Sequence, residues 1–202
     1  MGSEMCIRDR YNKWSKRATV THDVIIPYLR MWVGPMDYTP GAMLNAHPET
    51  FYENQHEPMS QGTRCRQLAT YVIFDSPLNM LCDNPSNYRR EPECTAFIAR
   101  IPTVWDETLG LDGKVGEYIT MARRSGDEWY VGGLTNWDKR DIIVDLSFLG
   151  EGFYEIELFK DGINADRAAC DYKRVVMPVP EDRQLKVTLF PGGGFAGRIE
   201  KR

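Results

Sequence analysis

The sequence is short of positive charge: 25 Lys and Arg stand against 29 Asp and Glu, a formal net charge of −4. Nucleic acids and anionic membrane surfaces call for a basic face, so neither is an expected partner. No apolar run approaches the ~20 residues that cross a bilayer as a helix. The five cysteines (Cys6, Cys65, Cys82, Cys94 and Cys170) include no CxxC pair and no metal-type spacing. They read as buried free thiols; a Cys82–Cys94 bridge is compatible with the sequence, but nothing selects it. A nucleophile elbow, a P-loop and a dinucleotide fingerprint are all missing. Gly192-Gly193-Gly194 opens no helix, so it reads as a turn and not as a phosphate cradle. Internal repeats and low-complexity segments are absent too. What remains is ordinary globular material, 202 residues with 42% hydrophobic and 27% charged, enough for one or two domains.

Residues 1–10 do not blend into the rest of the chain. They lack the apolar region and cleavage site of a signal peptide and read as adapter or cloning sequence, so Glu4 and Asp9 are set aside as candidates. From Tyr11 the chain divides into two parts, 11–102 and 103–202. In the first, Thr21 is placed to cap a helix with Asp23 in its first turn. Pro27 predicts a late start or a kink. A short buried strand is expected over Val33–Met43, its polar residues leading into a Pro40-Gly41 turn. Residues 44–61 read as a polar loop, and 62–82 as a core-facing helix ended or bent at Ser76-Pro77. Asn84-Pro85-Ser86 reads as a turn, and Glu91-Pro92-Glu93 as the start of a short helix carrying Phe97 and Ile98.

Near Pro102 the hydrophobic period changes from 3.6 to 2. Strand patterns cover 115–123, 128–135, 140–147, 153–160, 172–177, 184–190 and 194–200. Ile142, Val144 and Leu146 alternate with Asp141 and Asp145, and Leu185, Val187 and Leu189 with Lys186 and Thr188, the signature of strands with one wet face. Asp112-Gly113, Ser125-Gly126 and Asp161-Gly162 read as hairpin turns. Seven or eight strands at this spacing imply an antiparallel β-sandwich.

Few residues are candidates for chemistry. Asp37 and Tyr38 lie at the end of the proposed strand, where ligands sit in α/β sheets. They can hydrogen-bond sugar hydroxyls; equally, Asp37 can cap the adjoining turn and Tyr38 can pack against helices. His47, Glu49, Glu53, His56 and Glu57 match no metal motif, which favours a solvated loop. Glu91 and Glu93 suit a helix start better than a catalytic pair. Trp105-Asp106-Glu107 reads as an interdomain strand. Trp129, Tyr130, Trp137, Tyr154 and Phe159 read as core or interface aromatics before a sugar platform.

The run from Arg30 to Met43 resembles the late-barrel signature of glycoside hydrolase family 97, the α-glucosidase and α-galactosidase group. The resemblance continues in Gly62-Thr63-Arg64-Cys65, Ser76-Pro77-Leu78-Asn79-Met80-Leu81-Cys82-Asp83, Glu91-Pro92-Glu93-Cys94 and Val104-Trp105-Asp106-Glu107-Thr108. It extends through Asp112–Tyr118, Gly132–Trp137, Asp161–Asp166 and Pro191–Gly194. It implies α/β followed by all-β: the end of a (β/α)8 barrel in 11–102 (last strand and helices), then a C-terminal antiparallel β-sandwich in 103–202 associated with oligomerisation. It also implies an α-linked oligosaccharide substrate, a two-carboxylate mechanism with a calcium ion in the site, and export to the bacterial periplasm or beyond. The family's catalytic and calcium-binding glutamates fall before Tyr11. None is carried onto this chain, leaving Asp37 and Tyr38 as substrate-binding candidates and an inactive fragment as the expectation.

Overall fold

A computed structural model of the chain describes residues 19–36, 38–53 and 59–202. The leader, 1–10, and Asp37 lie outside these residues, as do His56 and Glu57.

Helix α1 spans Val20–Leu29. Its cap is Thr19 and not Thr21: Thr19 is extended at φ −87° and ψ 157°, and its hydroxyl accepts from His22 N. Capping there lets Val20 and Val24, both fully buried, face inward. The helix runs through Pro27, which only removes the donor that would have met Asp23 O. The expected strand from Val33 is not formed. Met31–Val33 is a 3₁₀ turn, Gly34 sits at φ 124°, and Pro35 has no N–H to give a ladder. Extended pairing survives as one parallel bridge, Tyr38 with Asn79. A second parallel pair joins β1 (Asn45–Ala46) and β2 (Ser60–Gln61). Helix α2 spans Arg64–Ile73 and stops before Ser76-Pro77. Asn84-Pro85 is not a free turn: Asn84 caps α3, Pro85–Arg90, with Pro85 in the first helical turn. Helix α4 spans Pro92–Arg100.

The β part agrees closely with the period-2 reading. Its strands are β3 (Glu107–Lys114), β4 (Tyr118–Ser125), β5 (Glu128–Thr135), β6 (Arg140–Asp145), β7 (Tyr154–Asp161), β8 (Tyr172–Pro178), β9 (Gln184–Leu189) and β10 (Gly194–Lys201). Strand β3 carries little apolar alternation, and Asp112-Gly113 lies inside it beside a bulge, not at a hairpin turn. Six strands form one antiparallel sheet in the order β3-β4-β5-β10-β7-β8. The β6–β9 ribbon covers one face of this sheet and the helices cover the other. Between sheet and ribbon lie Val131, Val144, Leu146, Ile156, Leu185 and Phe195; between sheet and helices lie Val24, Leu68, Phe97, Leu134, Phe159 and Ala196. Central strand β5 is therefore buried on both faces, which removes the alternation a half-wet strand would show.

Helix α2 lies across β5 and β10, and glycines allow it. A Cβ on Gly132 would stand 3.1 Å from Val72 Cβ; one on Gly194 would stand 2.7 Å from Gly133 O and 3.0 Å from Arg66 Cα. All ten residues of α2 are buried, so its polar groups need partners. Arg66 donates to Val20 O (2.6 Å), Thr135 O (2.8 Å) and the Asp23 carboxylate (3.1 Å and 3.2 Å). The free amides at the start of α2 are met largely by the β part. Thr63 N donates to Gly192 O, and Arg64 N to Ala169 O, while Thr63 Oγ1 accepts from Arg66 N. Thr63 Oγ1 in turn donates to Asp161 Oδ1 at 2.6 Å, and Phe190 N and Gly194 N donate to Asp161 Oδ2. Burial nevertheless pushes the Asp161 carboxyl up to about 7, outweighing these donors and nearby Arg66.

Arg123 is equally enclosed but poorly served. Among the described residues its one hydrogen bond runs to Ile73 O at 3.3 Å, Asp75 stands 3.6 Å away, and Nε and Nη1 have no hydrogen-bond partner. Replacing Arg66 with Met should cost about 3–5 kcal/mol by stranding Asp23, whereas Arg123→Met should stay within about 1 kcal/mol of the parent. Urea unfolding of both variants checks the contrast; equal losses would contradict it. Asp161 gives a pH test. Its folded pKa exceeds the unfolded value of 3.8, so the folded state binds the proton more tightly. That contribution is complete below about pH 4 and is lost as pH rises through about 7. Stability should therefore fall more steeply between about pH 4 and pH 7 in the parent than in Asp161→Asn.

Candidate functional site

The polar turn after Tyr38 is the best candidate from sequence, and side chains from α2, α3 and the segment between them hold it from all sides. Gln67 Oε1 accepts from Gly41 N at 3.0 Å, Tyr71 Oη donates to Pro40 O at 3.0 Å, and Tyr88 Oη donates to Gly41 O at 3.0 Å. Asp83 accepts from Met43 N at 2.9 Å and from Asn87 Nδ2 at 2.7 Å. Gly41 is obligatory here: its φ is +92°, and a Cβ would fall 2.4 Å from Tyr71 Oη. Burial raises the Tyr71 and Tyr88 phenols well above their ordinary value, so both remain hydrogen-bond donors at neutral pH. Tyr38 itself is 4% exposed, and its ring meets Phe74 edge-on at 4.6 Å. The turn is rigid and closed, a positioning element. Nothing in its geometry moves a proton at neutral pH.

Other sequence candidates also resolve into structure. His47 does not lie in a solvated loop: it is buried, with Nε2 2.7 Å from Ala165 O and its ring tilted against Trp137. Glu91 caps nothing with its side chain and instead pairs with Arg64 at 2.7 Å. Glu93 accepts from Tyr172 Oη at 3.1 Å. Trp105 packs edge-on against Tyr130, Asp106 accepts from Gly126 N, and Glu107 pairs with Arg124. Trp129 is enclosed against Phe148, and the Trp137 ring fills the space beside Gly192. Cys65, Cys94 and Cys170 carry free thiols, so the Cys82–Cys94 bridge is not formed.

Two features carry no signal in the sequence. The loop between β7 and β8 reaches the first part of the chain through Ala165 O and Ala169 O, and Cys170 lies against Asn45. Beyond the helices, the same sheet face turns from apolar to charged. Glu157 binds Arg100 (2.5 Å) and Arg174 (2.8 Å), and Arg198 joins Glu128 to Glu200. The cross-strand pairing of Glu157 with Arg198 is legible only once the strand order is known. An open groove of about 420 Å3 beside the ribbon is lined by Asp141, Lys160, Lys186 and Thr188. Asp141 already accepts from Thr188 at 2.5 Å, and no aromatic ring lines the groove. The three buried acids among the described residues are each committed: Asp23 to Arg66, Glu157 to two arginines, and Asp161 to Thr63 and two amides.

Comparison with known proteins places these elements in a family. Residues 104–200 match the model of the glycosyl hydrolase 97 C-terminal domain, described as an oligomerisation domain. A retaining alpha-galactosidase of Bacteroides thetaiotaomicron is 63% identical over 190 residues, covering 93% of this chain and 29% of that protein. A probable retaining alpha-galactosidase of Streptomyces bingchenggensis is 30% identical, covering 88% of this chain and 25% of that protein. Among solved structures, a glycoside hydrolase family 97 enzyme from Pseudoalteromonas sp. strain K8, in complex with acarbose, superposes with a TM-score of 0.80. It is 33% identical over 91% of this chain and 29% of its own. The chain thus spans less than a third of the length of these relatives. It belongs to glycoside hydrolase family 97, with that family's C-terminal domain in residues 104–200.

Proposed function

We propose that the chain is the closing part of a retaining α-galactosidase, in which residues up to about Pro102 complete an α/β barrel and the β part braces it. The observation that carries this reading is the 63% identity to a retaining alpha-galactosidase along almost the whole chain. In a retaining glycosidase two carboxyl groups flank the scissile bond, one as acid and base, the other as nucleophile. With Asp23, Glu157 and Asp161 tied in structural bonds, that pair belongs to the upstream part such relatives carry. The family's calcium goes with it. Among the described residues no three His, Cys, Asp or Glu side chains converge to hold a metal, so no calcium-dependent step is assigned to this chain. Its own contribution is positioning. The locked turn at Pro40–Met43 would fix Tyr38 and its neighbours at the barrel's ligand-bearing end, and export to the periplasm accords with the same reading.

A second reading rests on the description of the matched C-terminal domain as an oligomerisation domain: residues 104–200 associate with other copies of the chain. Both readings predict that the purified chain hydrolyses no aryl α-galactoside. Joining it to the upstream part of the Bacteroides relative should restore hydrolysis by at least ~10²–10⁴-fold, the usual worth of acid–base assistance. Hydrolysis by the chain alone would contradict both. Sedimentation of the chain checks the second reading, which a monomer at high concentration would exclude.

A further inference from the structure

The six-stranded sheet ends in two edges, β3 and β8, and the two are built differently. Strand β3 is broken as a template: its register shifts between Gly110 and Asp112, and two of its residues, Gly110 and Gly113, are glycines. A bulge and glycines of this kind turn an edge away from further pairing. Strand β8 is regular. It pairs with β7 without a shift from Tyr172 to Pro178 and holds no glycine. Among the described residues no strand pairs with its outer side.

The alternation of an antiparallel ladder fixes which groups this edge offers. Val179 N donates to Tyr154 O, so Met177, Val175 and Lys173, at two-residue steps before it, turn their N–H and C=O groups to β7. Tyr172, Arg174 and Val176 turn theirs outward. Pro178 belongs to the outward set, where a missing N–H costs the β7 ladder nothing. Between Arg174 and Pro178 stands Val176, a β-branched residue that is 52% exposed. The Arg174 side chain is folded onto Glu157 and Glu93 of its own chain.

Charge along the edge selects the direction of pairing. Lys173 and Lys160 stand opposite each other on β8 and β7, a like-charge pair, and no acid pairs with either among the described residues. Beyond the other end of β8, Glu181 and Asp182 are exposed. A parallel partner would set Lys173 and Arg174 against their own copies. An antiparallel partner turns the basic end of each strand towards the acidic end of the other, twice over.

We infer that β8 pairs antiparallel with β8 of a second copy of the chain, about a two-fold axis at Val175, so that two six-stranded sheets become one. The inference rests on the reading of residues 104–200 as self-associating, and gives that reading a surface and a stoichiometry. Pairing consumes the regular edge of both copies and leaves only the bulged β3 edges, so the assembly closes as a dimer.

Sedimentation equilibrium and hydrogen exchange of the whole chain test it together. The chain should sediment as a dimer with no larger species. In the dimer the amides of Arg174 and Val176 should exchange at least ~10-fold more slowly than in dilute, monomeric protein. Those of Val175 and Met177 should stay slow at every concentration, because β7 holds them. Val176→Pro removes an outward N–H without touching the β7 ladder. It should weaken the dimer at least about tenfold and leave the far-UV circular dichroism unchanged. If that variant does not fold, the exchange pattern of the parent still decides. A dimer in which Arg174 and Val176 exchange as fast as in the monomer would overturn the inference and keep self-association, through another face. Larger species would overturn the closed pairing, and a monomer at high concentration would overturn both the inference and the reading beneath it.

Discussion

Arg66 divides its guanidinium among three partners: the Val20 carbonyl and Asp23 carboxylate of α1, and the Thr135 carbonyl at the end of β5. It has no exposed surface, so none of these bonds competes with water. Removing any partner would leave charge stranded in a low-dielectric interior. The constraint it imposes is positional. Helix α2 must start where its first amides find Gly192 O and Ala169 O, and where Thr63 can reach Asp161. These acceptors belong to the turn before β10, to the β7–β8 loop and to β7. Helix α2 is thus capped and seated by the β part.

That arrangement explains how the described residues hold a defined shape. The helices bury their apolar side on the six-stranded sheet, with Gly132 and Gly194 letting the backbones meet. The turn at Pro40–Met43 is then fixed by Gln67, Tyr71, Asp83 and Tyr88, on or beside elements the sheet supports. In the enzyme we propose, precision at the ligand-bearing end would derive from the β part through α2.

The β part is legible in the sequence because its strands obey a simple period. Val144 and Leu146 face the core, and the observed β5–β10 ends lie within about three residues of the expected ones. Strand β3 escapes this reading because only Leu109 and Leu111 pack on the core from it. The first part is harder to read. Arg64, Arg66, Gln67 and Thr70 look like a solvated helical face in the sequence, yet all are buried, because their partners come from segments far away in the chain. His47 looks like loop polarity for the same reason; its partner, Ala165 O, is 118 residues on. The Val33 strand fails for a different reason. Its apolar pattern is right for burial, but Gly34 and Pro35 break it, and no neighbouring strand flanks it among the described residues. The family likeness survives these local errors, since it rests on ordered blocks and not on any one element.

Hydrogen exchange on the chain by itself tests most directly whether the β part holds the helices. Amides of α2 should exchange as slowly as those of β5 and β10, through one cooperative opening, because Arg66, Thr63 and Asp161 bind them into one unit. Fast exchange throughout α2 beside a protected sheet would contradict this, and would make the helices dependent on a partner outside the chain.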